Sequence, residues 1–193
     1  MKIRISHLNG RYDYEKGTDL CELFCIPDDE SNTYLFENGW LPTSNNEWYQ
    51  SRSSRLKITP LSSRRLSQLR KIRVTNSGNY MKIFENSKLS YNESAEEFLD
   101  TVLSYKHEIY YFDDCVFGVL NWFDDIPYFS MVVADKNNSR GIIPITCYYF
   151  LNKLSDHKYP YLYIGEWYEQ FHYKSNYPNF EWWDGENWLD TII

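Results

Sequence analysis

YLYIGEWYEQFHYKSNYPNFEWWDGENW, residues 161 to 188, is the stretch on which the reading of the whole chain turns. Tyr161-Leu-Tyr-Ile164 alternates aromatic and aliphatic residues over a strand-like length and stops at Gly165, after which the sequence becomes polar and rich in aromatics. This reads as the final core strand of a mixed α/β domain, with a working surface beginning at its C-terminal end.

Working back from that strand, Ser139 to Leu154 has a helical pattern in which Pro144 is tolerable only within the first turn, while Tyr148, Leu151 and Leu154 continue an apolar face. Before it, residues 108 to 112, 116 to 123 and 127 to 134 read as three antiparallel strands joined through Asp113-Asp114 and Asp124-Asp125. A helix opens at Asn92, a candidate cap, with acids in its first turn and Phe98, Val102 and Leu103 on one side. Thr75 to Tyr91 shows no decisive period. Pro60 to Ile72 reads as a helix capped by Ser62 or Ser63, with Leu66, Leu69 and Ile72 at helical spacing. Near the N-terminus, Lys2 to Ser6 reads as a strand closed by Asn9-Gly10, and Ser31 to Asn38 as a helix ending at Gly39. Trp48-Tyr49 and Leu56-Lys57-Ile58 read as short strands. The expected organisation is a small N-terminal lobe, residues 1–59, packed on a main domain, residues 60–193.

The 193 residues suit one domain of ordinary size, and 18 Tyr, 11 Phe and 7 Trp make its apolar volume unusually aromatic. A net charge of -7 argues against indiscriminate nucleic-acid binding. The charge is uneven, however: from Ser51 to Arg73 the chain carries Arg52, Arg55, Lys57, Arg64, Arg65, Arg70, Lys71 and Arg73 with no Asp or Glu. A merely solvated helix face mixes signs, so this segment points to a polyanionic partner. Four cysteines, Cys21, Cys25, Cys115 and Cys147, are too few for a disulfide scaffold. Cys21-x-x-x-Cys25 has no second Cys or His pair at zinc-like spacing and reads as two small residues on a helix face. Met1 to Ser6 does not read as a secretory signal, and no run reaches the roughly 18 apolar residues of a membrane helix, so a cytoplasmic protein with no membrane partner is expected.

The order helix, three strands, helix, strand is similar to the GNAT acyltransferase fold, which implies an α+β domain with a central, mostly antiparallel sheet and a cleft beside the last strands. A CoA user of that fold needs a glycine-rich pyrophosphate loop, and Ser139-Arg140-Gly141 followed by Pro144 is a poor one. In detail the chain resembles the arginyl-tRNA-protein transferase family, including its bacterial leucyl-transferring relatives, over about residues 34 to 188. The resemblance is carried by Phe36-Glu-Asn-Gly-Trp40 with Trp48-Tyr49, by Pro60-Leu-Ser-Ser-Arg-Arg65 with Leu69-Arg-Lys71, and by Phe129-Ser130 with Asp135. It is strongest at Tyr161-Leu-Tyr-Ile-Gly165, Tyr173-Lys174 with Tyr177, and Asp184-Gly185 with Trp188. The family's N-terminal cysteine cluster is missing apart from Cys21 and Cys25, and its Arg-Arg-Ser-Gly segment is Leu41-Pro-Thr-Ser44. No metal or other cofactor is therefore carried over, and neither is the identity of the amino acid transferred.

The resemblance implies an aminoacyl-tRNA-dependent transferase acting on an amine of a protein, peptide or small molecule. Such chemistry needs positioning, a base for the amine proton and support for the developing oxyanion, with no nucleophilic side chain. Glu166, directly after the strand, is the candidate base, with Tyr168 and Tyr173 orienting the reactants. Arg64, Arg65, Arg70 and Lys71 are expected on acceptor-arm phosphates, Arg140 near the terminal nucleotide, and Lys174 and Tyr177 within the matched Tyr-Lys element. Trp167 or Trp183 is expected to stack on the terminal adenine. Two other readings remain at this stage: a CoA-dependent N-acyltransferase on the same fold, and a non-catalytic descendant that binds RNA or protein.

Overall fold

The computed structural model describes residues 1–13, 18–43, 46–89, 93–137, 141–167 and 169–190, with the backbone alone at 4–13, 18–22, 93–94 and 169–172. In chain order the elements are β1 (Lys2–Asp13), β2 (Thr18–Ile26), α1 (Asn32–Glu37), β3 (Trp40–Pro42), β4 (Trp48–Gln50), β5 (Ser53–Lys57), α2 (Ser63–Leu69), β6 (Val74–Thr75), α3 (Tyr80–Glu85), α4 (Glu93–Ser104), β7 (His107–Phe112), β8 (Val116–Phe123), β9 (Ile126–Ala134), α5 (Ile142–Lys153), β10 (Tyr161–Glu166), a 3-10 helix (Glu169–Asn176), β11 (Phe180–Trp183) and β12 (Trp188–Leu189). The class is α+β, with antiparallel-rich sheets and short helices.

Two compact units divide the chain: residues 1–57 with 163–193, and residues 58–162. The sequence expectation also broke the chain close to residue 58, but kept everything after it together. The C-terminal stretch instead rejoins the N-terminal segment, because β11 pairs antiparallel with β5 through Phe180↔Leu56, Glu181↔Arg55 and Trp182↔Ser54.

In the first unit, β1-β2-β4-β3 form one sheet, and β12-β11-β5-β10 are consecutive strands of another. Asn9-Gly10 does not end β1; the strand continues to Asp13 with a register irregularity between His7 and Tyr12. Cys21 and Cys25 lie on β2 rather than on a helix. Ser31 caps α1 as expected, its hydroxyl accepting from Tyr34 N–H. The core is aromatic: Phe36 meets Tyr163 at 4.5 Å and Trp48 at 5.1 Å, while Trp188 lies 5.8 Å from Tyr163 and 5.5 Å from Trp183.

In the second unit, β9-β8-β7-β6 form an antiparallel run. The alternation of side chains across the pleat sorts two layers. Tyr111, Phe117, Val119, Met131 and Val133 pack with Ile83 and Phe84 of α3 and with Leu99 and Val102 of α4. Tyr110, Phe112 and Phe129 meet Tyr149 or Phe150 of α5. Helix α2 packs in turn on α5. Gly118 makes this second layer possible, since a Cβ there would sit 3.0 Å from Phe129 and 3.3 Å from Phe150. Fully buried Asn121 ties α4 to the sheet by donating to Val102 O at 2.7 Å and accepting from Ser130 Oγ at 2.5 Å.

Gly39 and Gly141 separate two costs of adding a side chain. Both have positive φ, +74° and +77°, but a Cβ on Gly39 would stand 2.4 Å from Trp183 Cγ whereas one on Gly141 meets nothing within 4 Å. Gly39→Ala is expected to destabilise by about 2–4 kcal/mol and Gly141→Ala by only about 1 kcal/mol. Equal shifts in urea midpoint would show that the Trp183 contact carries no weight.

Candidate functional site

Near the end of β10, Gly165 takes a φ of +79°, a conformation that glycine adopts without strain. Successive carbonyls then point to opposite sides, as the pleat requires. Lys174 Nζ donates to Ile164 O and Glu166 O, each at 2.6 Å, while Ser54 Oγ of β5 donates to Gly165 O at 2.6 Å. The next residue also returns to the scaffold, Trp167 N–H donating to Arg52 O at 2.7 Å. The sequence element Tyr173-Lys174 and the strand Tyr161 to Gly165, distinct in the sequence, are therefore one hydrogen-bonded unit.

Glu166 is half-buried at this strand end. Tyr173 in the 3-10 helix is 41% exposed and Tyr177, directly after that helix, 8% exposed, their rings meeting edge-to-face at 6.3 Å. Lys174 thus works through main-chain carbonyls as a positioning group, and Tyr177 turns inward. Trp167 and Trp183 are 3% and 6% exposed. The Trp167 ring packs on Trp182 and Phe180 at 5.2 and 5.5 Å, with the Arg52 guanidinium 5.3 Å above it, so its faces are occupied by protein. Trp183 packs on Trp188 and against Gly39. Tyr168 and Arg140 lie outside the described residues.

Asp184-Gly185 closes the β11–β12 hairpin. Asp184 Oδ1 accepts from the N–H groups of Glu186 and Asn187 at 2.8 and 2.7 Å, and Gly185 takes φ +110°. The turn delivers Trp188, whose indole N–H donates to Glu37 O at 2.8 Å. This sequence signature therefore has a purely structural explanation.

The basic segment divides into groups with different partners. Arg55 donates through Nε and Nη2 to Glu181 Oε2, both at 2.7 Å, and lies 4.0 Å from the Trp188 ring centroid. Arg52 lies over Trp182 and Trp167, and Arg73 pairs with Asp114. No carboxylate among the described residues pairs with Arg64, Arg65, Arg70 or Lys71. Arg64, Arg70 and Lys71 are exposed, and Arg65 is half-buried with its guanidinium 5.2 Å from the ring centroid of Tyr148. Ser62, Arg64, Arg65, Gln68 and Tyr148 line a cavity of about 370 Å³.

A second polar cluster escaped sequence reading because Trp122 and Lys153 reach Glu108 and Tyr110 from other elements. Glu108 accepts from Tyr110 O–H on one oxygen and from Trp122 Nε1 at 2.8 Å on the other, with Lys153 Nζ 3.6 Å away. Burial would raise the Glu108 pKa, but the Tyr110 and Trp122 hydrogen bonds and the Lys153 charge outweigh it and hold the carboxyl below its ordinary range. Burial and the Glu108 contact push the Tyr110 phenol far upward. Burial raises Tyr149 too, against the opposing charge of Lys153. Elsewhere, Cys25 is buried, its thiol pushed up to about 11 by burial first and by the Glu30 and Glu47 charges, which fits a packing residue. No cluster of three or more His, Cys, Asp or Glu suited to a metal occurs among the described residues, and none of the described helices is long and apolar enough to cross a membrane. No protein-family model and no curated protein sequence matches the chain.

Two predictions follow from these contacts. Lys174→Met leaves the Ile164 and Glu166 carbonyls without their donor and should cost about 2–3 kcal/mol in denaturant unfolding, with partial recovery in Lys174→Arg; an unchanged midpoint would remove its bracing role. Because the Glu108 pKa is lower folded than unfolded, its stabilisation is complete above the ordinary carboxylate range and is lost as pH falls through the folded value. Glu108→Gln should therefore flatten the acid limb of the urea midpoint against pH, and a parallel curve would count against this coupling.

Proposed function

We propose that the protein is an aminoacyl-tRNA-dependent transferase, acting in the cytoplasm, that moves an amino acid from charged tRNA to an amine of a protein, peptide or small molecule. The observation that carries the reading is the Lys174 bridge to Ile164 O and Glu166 O. It joins the two sequence pieces on which the resemblance to arginyl-tRNA-protein transferases is most specific, at the strand end where that resemblance puts the chemistry. A GNAT-like arrangement of the sheet belongs to the same proposal.

In this reading Glu166 takes the proton from the attacking amine. A bond forms from the amine nitrogen to the ester carbonyl carbon, the bond from that carbon to the ribose 3′-oxygen breaks, and the proton passes to the departing alkoxide. Tyr173, the exposed member of its element, orients the acceptor, and Tyr168 has the same assignment from the resemblance. Arg64, Arg65, Arg70 and Lys71 hold phosphates of the acceptor arm through charge, with Arg140 assigned to the terminal nucleotide. Lys174 braces the strand end through Ile164 O and Glu166 O, and Tyr177, Trp167 and Trp183 act as packing residues. A non-catalytic RNA-binding descendant is the second reading, favoured by how fully Lys174 and Trp167 are engaged in packing and main-chain contacts.

The test incubates the protein with tRNA charged separately with each labelled amino acid and a pool of amine acceptors. Transfer from at least one tRNA, reduced about a hundredfold or more in Glu166→Gln, is expected. Folded protein that transfers from none would overturn the enzyme reading. Tight tRNA binding in that case, weakened about tenfold by Arg64→Glu with Arg65→Glu at low salt, would select the binding descendant.

A further inference from the structure

The cavity between α2 and α5 is more selective than a charged surface needs to be. Two consecutive arginines, a glutamine, a serine and a tyrosine converge on about 370 Å³, with no acid among the described lining residues. Arg64 and Arg65 have no carboxylate partner among the described residues, so two like charges line this space with no counterion from those residues. Such a pair is relieved by an anion that enters between them. The Tyr148 ring beneath the Arg65 guanidinium, at 5.2 Å, restricts one of the two forks before any ligand arrives.

A nucleic-acid backbone meets exposed cations such as Arg70 and Lys71 well enough, because each phosphodiester offers two free oxygens and its chain must leave on both sides. A cavity lined by two guanidinium forks, a hydroxyl and an amide suits a group that ends there and presents three oxygens with up to two charges. We infer that the α2–α5 cavity is a receptor for a terminal phosphate monoester, with Arg64 and Arg65 as the charged donors, Ser62 and Gln68 as neutral ones, and Tyr148 as the support for Arg65. Two sources carry that chemistry, the 5′-phosphate of an RNA and a free mononucleotide. The RNA source rests on the transferase reading above, and it has a chemical rationale: the 5′ end of a tRNA lies at the same end of the molecule as its aminoacylated 3′ end. A cavity that grips the 5′-phosphate selects one end of the acceptor arm, which the diffuse attraction of Arg70 and Lys71 does not.

The experiment compares an acceptor-stem RNA microhelix carrying a 5′-phosphate with the same RNA carrying a 5′-hydroxyl, and adenosine 5′-monophosphate with adenosine, by calorimetry on the full chain at fixed ionic strength. The phosphorylated RNA should bind about tenfold or more tightly than its 5′-hydroxyl form. Arg64→Gln with Arg65→Gln should abolish that ratio, Tyr148→Leu should reduce it, and Arg70→Gln with Lys71→Gln should weaken both RNAs equally while preserving it. Unfolding midpoints of each variant separate loss of binding from loss of fold. Adenosine 5′-monophosphate binding that depends on Arg64 and Arg65, without RNA discrimination, assigns the cavity to a free nucleotide and overturns the RNA source. Equal binding of both RNAs together with no response to the mononucleotide overturns the receptor itself and leaves the transferase reading standing. Discrimination between the RNAs without any amino-acid transfer overturns the enzyme reading alone.

Discussion

Three consecutive main-chain carbonyls at the end of β10 accept hydrogen bonds from side chains. Lys174 holds Ile164 O and Glu166 O, and Ser54 holds Gly165 O. Backbone carbonyls withdrawn from water cost free energy unless they are satisfied, so a strand that ends inside the structure needs donors brought from elsewhere in the chain. A lysine can supply two at once because its ammonium has three protons on a flexible stem. That requirement explains why the 3-10 helix returns to the strand it follows, and why a residue with a charge is used where the sequence suggested a ligand contact. The geometry of Glu166 depends on this brace, since its own carbonyl is one of the two that Lys174 holds.

Arginine is used in two physical ways within one short segment. Arg52 and Arg55 enter the aromatic core of the first unit, where a planar, weakly hydrated guanidinium lies over indole rings and, for Arg55, meets Glu181 across paired strands. The pairing compensates much of the desolvation that an isolated buried charge would suffer. Arg64, Arg65, Arg70 and Lys71 lie on and just after α2, with no carboxylate partner among the described residues. Net charge conceals this, because the protein as a whole is acidic, and attraction for an anion is set by local potential rather than by the total.

Local periodicity made much of the second unit legible. Helix α5, with Pro144 in its first turn, the three strands β7 to β9 and the α2 apolar positions follow from local spacing and from apolar runs bounded by the Asp113-Asp114 and Asp124-Asp125 turns. Less was legible where non-local pairing decides. Cys21 and Cys25 share a four-residue spacing that fits a helix and, equally, one face of a strand; pairing of β2 with β1 and β4 selects the strand. The C-terminal stretch gave a strand and then an open surface, whereas β11 and β12 extend the structure there because Phe180 to Trp182 find partners on β5, over a hundred residues earlier. The Glu108 cluster could not be read at all, since Tyr110, Trp122 and Lys153 reach it from three different elements.

The same distinction bears on the candidate site. Sequence patterns identify residues that a fold or an activity requires, but they do not separate a contact to a substrate from a contact to the chain itself. Asp184-Gly185 with Trp188 illustrates the second case: an Asx-stabilised turn places an indole where its N–H reaches Glu37 O and its ring reaches Arg55. Lys174 and Trp167 are of the same kind, with their polar or aromatic faces turned to protein. Tyr173 differs from them in being exposed, with its ring edge-to-face on Tyr177, and Arg64 and Arg65 differ in having no carboxylate partner among the described residues, Arg65 resting on the Tyr148 ring. A side chain whose chemistry is already consumed internally is a poor instrument for recognising a ligand, and by that standard the buried Trp167 and Trp183 are weaker candidates for contact with a base than the side chains of the α2–α5 cavity are for contact with a phosphate.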